Sequence, residues 1–271
     1  MTTPALAFPV RGRGRHYPYK PCDPSGWPRN RWQSVDLDDI PDTVDPLPSV
    51  TNVLSIIDKP ALKHWSARMA LTELYDADQF PADLDTAVKN HAGAYARQAR
   101  KRADIGTKAH TVAEALTSDL PLPSSLSDED EQFADAFLAW WSDTDPEPIV
   151  TEATVLDVER RYGGTADLFA IVDGIPTVVD YKTRGSGKPG VYQETWLQLA
   201  ALASASEVAT RTAGGWEVTP QSFRMDGMCV VLFPDGTYQA ERVSADDIEG
   251  RWFPGFVAAR VLWETLKGGN A

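Results

Sequence analysis

The segment from Thr165 to Lys182 consists of two apolar runs hinged at Asp173-Gly174. Asp-Gly suits a two-residue type I′ turn, whose positive φ angles match the twist of paired strands. Such a turn pairs Val172 with Ile175. The same register carried down the hairpin sets Asp167 opposite Asp180 and Thr165 opposite Lys182. Opposed side chains share a sheet face, with Cβ atoms about 5 Å apart. Two carboxylates so placed repel unless positive charge sits between them. Lys182 points to the face of Asp180, because strand side chains alternate. The expectation is two acids and an ammonium at one spot, with a divalent cation bridging the acids.

The rest of the chain is read around that hairpin. The 271 residues are 42% hydrophobic, enough for one large core, and hold no apolar run of membrane-spanning length. The N-terminus is rich in Pro, Arg and Gly and does not resemble a secretory leader. Cys22 and Cys229 are too few for a disulfide framework, an iron–sulfur cluster or a structural zinc, so a cytoplasmic protein with reduced thiols is expected. A formal net charge of −13 argues against indiscriminate nucleic-acid binding, but local patches decide phosphate attraction. Two basic patches stand out: Arg11, Arg13, Arg15, Lys20, Arg29 and Arg31 near the N-terminus, and Arg97, Arg100, Lys101 and Arg102 on an expected helix.

Residues 1–47 lack periodicity and read as an extended basic, Pro-rich arm. Residues 48–271 read as one domain, helical over 48–145 and sheet-forming over 146–271 with a C-terminal helix. Pro60 opens a helix to about Tyr75 with Leu62, Trp65, Met69 and Leu71 facing inward. An Ala-rich helical stretch over 84–116 is expected to break near Gly106. A further helix over 128–141 directs Phe133, Phe137, Leu138 and Trp141 inward. A strand over 149–158, the hairpin, a helix over 191–206, a loop near Gly214-Gly215, a second hairpin around Pro234-Asp-Gly-Thr237 and a helix over 246–267 follow. The last helix is expected to bury Trp252, Phe256, Val261 and Trp263. This order predicts an α+β (mixed α/β) fold with a short central mixed sheet flanked by helices.

Gly163-Gly-Thr-Ala-Asp167 and Val178-Val-Asp-Tyr-Lys-Thr183 resemble the second and third motifs of the PD-(D/E)XK nuclease superfamily, RecB-like branch. Gly106-Thr-Lys-Ala-His110 resembles that branch's upstream Gly-x-x-x-His helix, and Glu152 its acidic first-strand position. Trp196-Leu-Gln-Leu-Ala-Ala-Leu202 resembles its Gln-x-x-x-Tyr helix, with Gln198 in place and Leu202 where Tyr is usual, a departure at a DNA-positioning contact. Ser49-Val-Thr51 and Lys59-Pro-Ala-Leu-Lys-His-Trp65 resemble the opening of phage-type members. The likeness covers roughly residues 48–265.

The resemblance implies a restriction-endonuclease-like core and a Mg²⁺- or Mn²⁺-dependent DNA nuclease, most simply an exonuclease of recombination, repair or phage DNA metabolism. It implies Asp167, Asp180, His110 and the Tyr181 carbonyl as metal ligands, and Asp167, Asp180, Lys182, Glu152 and Gln198 as catalytic residues. Hard oxygen ligands suit Mg²⁺ or Mn²⁺, and the imidazole favours Mn²⁺. Without the four cysteines of related iron–sulfur members, no such cluster is expected. DNA is the expected partner, with a recombinase, helicase or single-strand-binding protein beside it and no membrane. No Gly-x-x-x-x-Gly-Lys loop is present, so any motor is another chain. The competing readings are a catalytically silent nucleic-acid-binding or inhibitory protein, and a domain whose cation is structural. Taken singly, His110 could pair with Glu114 four residues on, and Asp-x-Lys on a strand is common.

Overall fold

The computed structural model describes residues 8–10, 14–18, 46–77, 80–117, 127–185, 190–212 and 215–268. Along the chain these form β1 (Phe8–Val10), β2 (Gly14–Pro18), β3 (Pro46–Pro48), α1 (Val50–Val53), α2 (Pro60–Tyr75), α3 (Leu84–His91), α4 (Ala94–Thr117) and α5 (Asp128–Thr144). Then come β4 (Glu147–Asp157), β5 (Tyr162–Val172), β6 (Ile175–Thr183), α6 (Gln193–Ala203), β7 (Glu207–Thr212), β8 (Gly215–Pro220), β9 (Asp226–Leu232) and β10 (Tyr238–Val243). A one-turn α7 (Ala245–Asp247) and a π-helical turn over Ile248–Trp252 lead into α8 (Phe253–Gly268). The fold is mixed α+β.

Seven strands form the main sheet in the order β10-β9-β6-β5-β4-β7-β8. Its pairs are antiparallel except β6 with β9, which α6 and the β7–β8 hairpin join as a crossover. Helices cover both faces. On one, Leu199 and Leu202 of α6, Phe256 and Trp263 of α8 and Val50 and Val53 of α1 pack on Val155, Phe169, Val178 and Val231. On the other, Ala109 and Ala113 of α4 and Phe133, Phe137 and Trp140 of α5 pack on Leu168, Val179, Tyr181 and Val230. The Asp-Gly reversal forms as expected, with φ of 53° at Asp173 and 77° at Gly174, and Val172 pairs with Ile175.

Two glycines let β5 be approached from both sides. A Cβ at Gly163 would lie 2.8 Å from the Tyr17 ring, and one at Gly164 would lie 2.5 Å from Leu202 Cδ2. Tyr17 and Leu47, within the residues read as an arm, are buried, and β1–β2–β3 form an antiparallel three-stranded sheet. Of the N-terminal basic residues, Arg11, Arg13, Lys20, Arg29 and Arg31 lie outside the described residues, and β2 carries Arg15.

Several helix expectations need correction. The Ala-rich stretch breaks at Ala92-Gly93, between α3 and α4, and runs unbroken through Gly106. Glycine inside a helix costs only about 1 kcal/mol, which packing of α4 against the sheet offsets. Leu62 and Leu71 of α2, Leu138 of α5 and Val261 of α8 are exposed, and Trp140 instead of Leu138 is fully buried on α5. α2 packs on α3 and α4, away from the sheet, so its apolar stripe has no core to face. Of the loop expected near Gly214-Gly215, Gly214 lies outside the described residues and Gly215 begins β8, which with β7 adds two strands to the sheet edge. β4 lacks the alternation of a half-solvated strand, because its second half is buried on both faces. No helix among the described residues is long and apolar enough to cross a membrane.

Candidate active site

The hairpin ladder runs from Val172 with Ile175 to Leu168 with Val179 and then ends. Beyond it, Asp167 Oδ2 accepts a 2.7 Å hydrogen bond from the Tyr181 N–H. A side-chain carboxylate has taken an amide that the next rung would use. A strand N–H points sideways toward its neighbour, so the Asp167 carboxylate lies in the gap between the two strands. The expected cross-strand pairs of Asp167 with Asp180 and of Thr165 with Lys182 are therefore absent from the ladder. Thr165 Oγ1 is hydrogen-bonded to Tyr17 Oη at 2.8 Å instead.

The gap is where three elements converge. His110, from α4, stands with Nδ1 3.2 Å from Asp167 Oδ1 and Nε2 2.9 Å from the Tyr181 carbonyl oxygen. Its partners are thus the site's acid and backbone, across the fold, and not Glu114. Glu152, from β4, completes a group in which one ligand atom each of His110, Glu152 and Asp167 lies within 4.8 Å of the others. Glu152 falls between the pairs Thr151–Leu168 and Ala153–Ala166, level with Asp167, and its φ is 51°. A left-handed Glu within a strand is strained by about 1–2 kcal/mol. Its neighbours hold it there, at the point where three metal-ligating groups meet.

Asp180 and Lys182 lie beside this group, toward α6. Lys182 Nζ is 2.8 Å from Asp180 Oδ1 and 2.7 Å from Oδ2. Gln198 Nε2 donates to Asp180 Oδ1 at 2.9 Å, while its Oε1 is 3.5 Å from Lys182 Nζ. Gln198 therefore aligns the acid and the amine together. Asp180 is 2% exposed, and its Oδ2 has no hydrogen-bond partner of good geometry, only the ion-pair approach of Lys182.

The charges are strongly coupled. Burial opposes a charged His110, but the charge and hydrogen bond of Asp167 outweigh it and raise the imidazole to about 9. Burial likewise opposes the Asp167 carboxylate, yet His110 and Lys182 hold it below the usual range. Burial and the nearby Asp167 charge push Asp180 up against the pull of Lys182. Lys182 itself is raised, the two acids overcoming the cost of burial. Aromatic packing fixes the ligand-bearing backbone: the Tyr181 ring stands edge-on to His110, Phe137 and Trp140.

An imidazole and two carboxylates form a donor set suited to Mn²⁺ or Mg²⁺, with the Tyr181 carbonyl on the other ring nitrogen of His110. The residues fit a divalent ion. Of the expected ligands, His110, Asp167 and the Tyr181 carbonyl come together, with Glu152 joining them. Asp180 stands next to the cluster, outside its 4.8 Å grouping.

Three contacts around the site were not read from the sequence. Lys59, at the start of α2, pairs with Glu194 on the first turn of α6 at 2.9 Å. Tyr17 bonds Thr165 across 148 positions. The Arg184 guanidinium stacks over the Tyr192 ring, 4.6 Å from its centroid. Only the last left a signal, since Arg184 shares strand parity with Asp180 and Lys182. Leu202 is buried against Gly164, where it serves packing.

No protein-family profile matches the chain, and no curated protein matches it significantly. Among solved structures, the crystal structure of SSO0001 is similar over 76% of this chain and 87% of its own, with 14% identity and a TM-score of 0.28. At that score the likeness bears on neither fold nor function.

Proposed function

We propose that this chain is a divalent-metal-dependent deoxyribonuclease with a restriction-endonuclease-like core, a RecB-like member of the PD-(D/E)XK superfamily acting from DNA ends. The observation that carries the reading is the meeting of His110, Glu152 and Asp167, from α4, β4 and β5, beside a Lys182–Asp180–Gln198 unit. The order of these residues on helix, strand, strand, strand and helix supports it too, since local chemistry alone does not place six such groups together.

His110, Asp167, Glu152 and the Tyr181 carbonyl would hold the ion, with Asp180 adjoining. When bound, such an ion supplies Lewis acidity and activated water for phosphodiester hydrolysis. Lys182 supplies a fixed positive charge, anchored by Asp180, for the phosphate oxygens on which charge builds. Gln198 holds that ammonium in register. His110, Glu152 and Asp167 offer ligand atoms within 4.8 Å of one another, and an ion held there would take the place of the His110 proton.

The test is incubation of end-labelled single- and double-stranded DNA with Mg²⁺ or Mn²⁺, using wild type, Asp180→Ala and Lys182→Ala. Cleavage by wild type that is lost in both variants supports the assignment, and sparing of a circular substrate supports end-directed action. Equal cleavage by all three proteins, or metal-dependent stabilisation with no cleavage by any, refutes it.

A further inference from the structure

β6 does not stop at the catalytic lysine. The Arg184 N–H donates to the Leu232 carbonyl at 3.0 Å, continuing the parallel ladder one residue past Thr183. Arg184 therefore leaves the strand on the face that carries Asp180 and Lys182, about 7 Å beyond Lys182. Its guanidinium lies over one face of the Tyr192 ring. Tyr192 is 59% exposed, an unusual state for an aromatic residue immediately ahead of a helix that buries Thr195 and Leu199.

Helix stability does not account for that tyrosine. Tyr192 occupies the N-cap of α6, where Ser, Thr, Asp or Asn would satisfy a free N–H, and its side chain makes no capping bond. An exposed cation–π contact contributes little by itself. Among the described residues, a Cβ at Gly185 or at Gly190 would meet no atom within 4 Å. One ring face is thus braced by a cation in line with the lysine, while the ring stays largely in solvent.

Building on the nuclease reading above, we propose that Arg184 and Tyr192 form a nucleotide-holding pair. Arg184 binds the phosphate next to the scissile one, and the ring face of Tyr192 not covered by Arg184 stacks the unpaired base that follows. The substrate presented to the site is then a single strand or a frayed end, because a base within a duplex has no free face to offer.

The experiment uses fluorescein-labelled oligodeoxythymidylate in EDTA, where metal-dependent cleavage is stopped, with anisotropy as the readout. A matched oligomer of base-less sugar phosphates serves as the second probe. Tyr192→Ala should weaken thymidylate binding about 5- to 150-fold, the range for one base–aromatic stack. Tyr192→Phe should bind as wild type does, and the Tyr192→Ala penalty should vanish on the base-less oligomer. Arg184→Ala should weaken both probes and lower the salt slope by about one phosphate contact. Thymidylate binding unchanged in Tyr192→Ala, or a penalty that persists on the base-less oligomer, overturns the pair. Cleavage by wild type combined with either result leaves the nuclease reading standing. Base-dependent binding through Tyr192 without cleavage does the reverse.

Discussion

Replacing Gly164 by Ala tests how α6, and with it Gln198, is seated on the sheet. The new methyl would lie 2.5 Å from Leu202 Cδ2, 3.2 Å from Val50 Cγ2 and 3.5 Å from Val155 Cγ2. All three neighbours are buried, so none can swing into solvent. Overpacking of this kind costs about 1–3 kcal/mol. With about 2–4 °C per kcal/mol for a domain of this size, Tm should fall by roughly 2–12 °C. Leu202→Ala alone should cost about 2–5 kcal/mol through the cavity it leaves. Together the two changes relieve one another, because the methyl added on β5 occupies space that Leu202 vacates. The double variant should be more stable than the sum of the singles by at least about 1 kcal/mol. Urea melts of the four proteins without metal measure this coupling. On the proposed nuclease reading, a parallel titration with Mn²⁺ separates two effects of Gly164→Ala: ion affinity should hold, since α6 carries none of the proposed ligands, while any DNA cleavage should drop as Gln198 shifts from Asp180. Strictly additive energies, or a Gly164→Ala protein as stable as wild type, would refute the seating of α6 on β5.

Other consequences follow from the charge arrangement. The folded-state pKa of His110 is raised, so its contribution to metal-free stability is complete below about pH 6.5 and is lost as pH rises through about 9. Metal-free unfolding free energy should therefore decline between pH 7 and 9.5, by an amount on the order of 1–2 kcal/mol that is absent in His110→Gln, whereas the Tm gain from Mn²⁺ should grow over the same window as the competing proton leaves. His110→Ala, Glu152→Gln and Asp167→Asn should each remove most of the Mn²⁺-induced Tm shift, read by calorimetry; a full shift in any of them would exclude that residue as a ligand. Lys182→Met leaves the buried Asp180 without its cation and should destabilise the metal-free protein by about 1–3 kcal/mol, less than the 3–5 of a fully buried pair because Lys182 is 38% exposed. Added Mn²⁺ should recover part of that loss, and an unchanged melting curve would show that the pair is not electrostatically coupled.

The reversal at Asp173-Gly174, the first five rungs of the hairpin and the presence of helices before and after the sheet were legible in the chain itself. Turn chemistry and side-chain alternation act over a few residues, so short-range rules suffice for them. The same rules carried the register too far. At Asp167 a side-chain acceptor competes with the backbone for the Tyr181 amide, and the ladder opens by a contact that no alternation pattern encodes. The apolar residues of α2 mislead for a related reason, since periodicity marks a stripe without saying what lies against it.

Order along the chain thus determined which groups the site contains: a helix histidine, strand acids, a strand lysine and a helix glutamine. Only the tertiary structure decided how they meet. It brings His110 to Asp167 and Tyr181, turns Glu152 into a left-handed conformation level with them and ties Asp180 to Lys182 and Gln198 instead of to its expected mate. Apart from the neighbouring Asp180 and Lys182, those contacts join residues 18 to 71 positions apart, and their geometry follows from the packing of α4, α5 and α6 on opposite faces of a twisted sheet, a property of the assembled core and of no single segment.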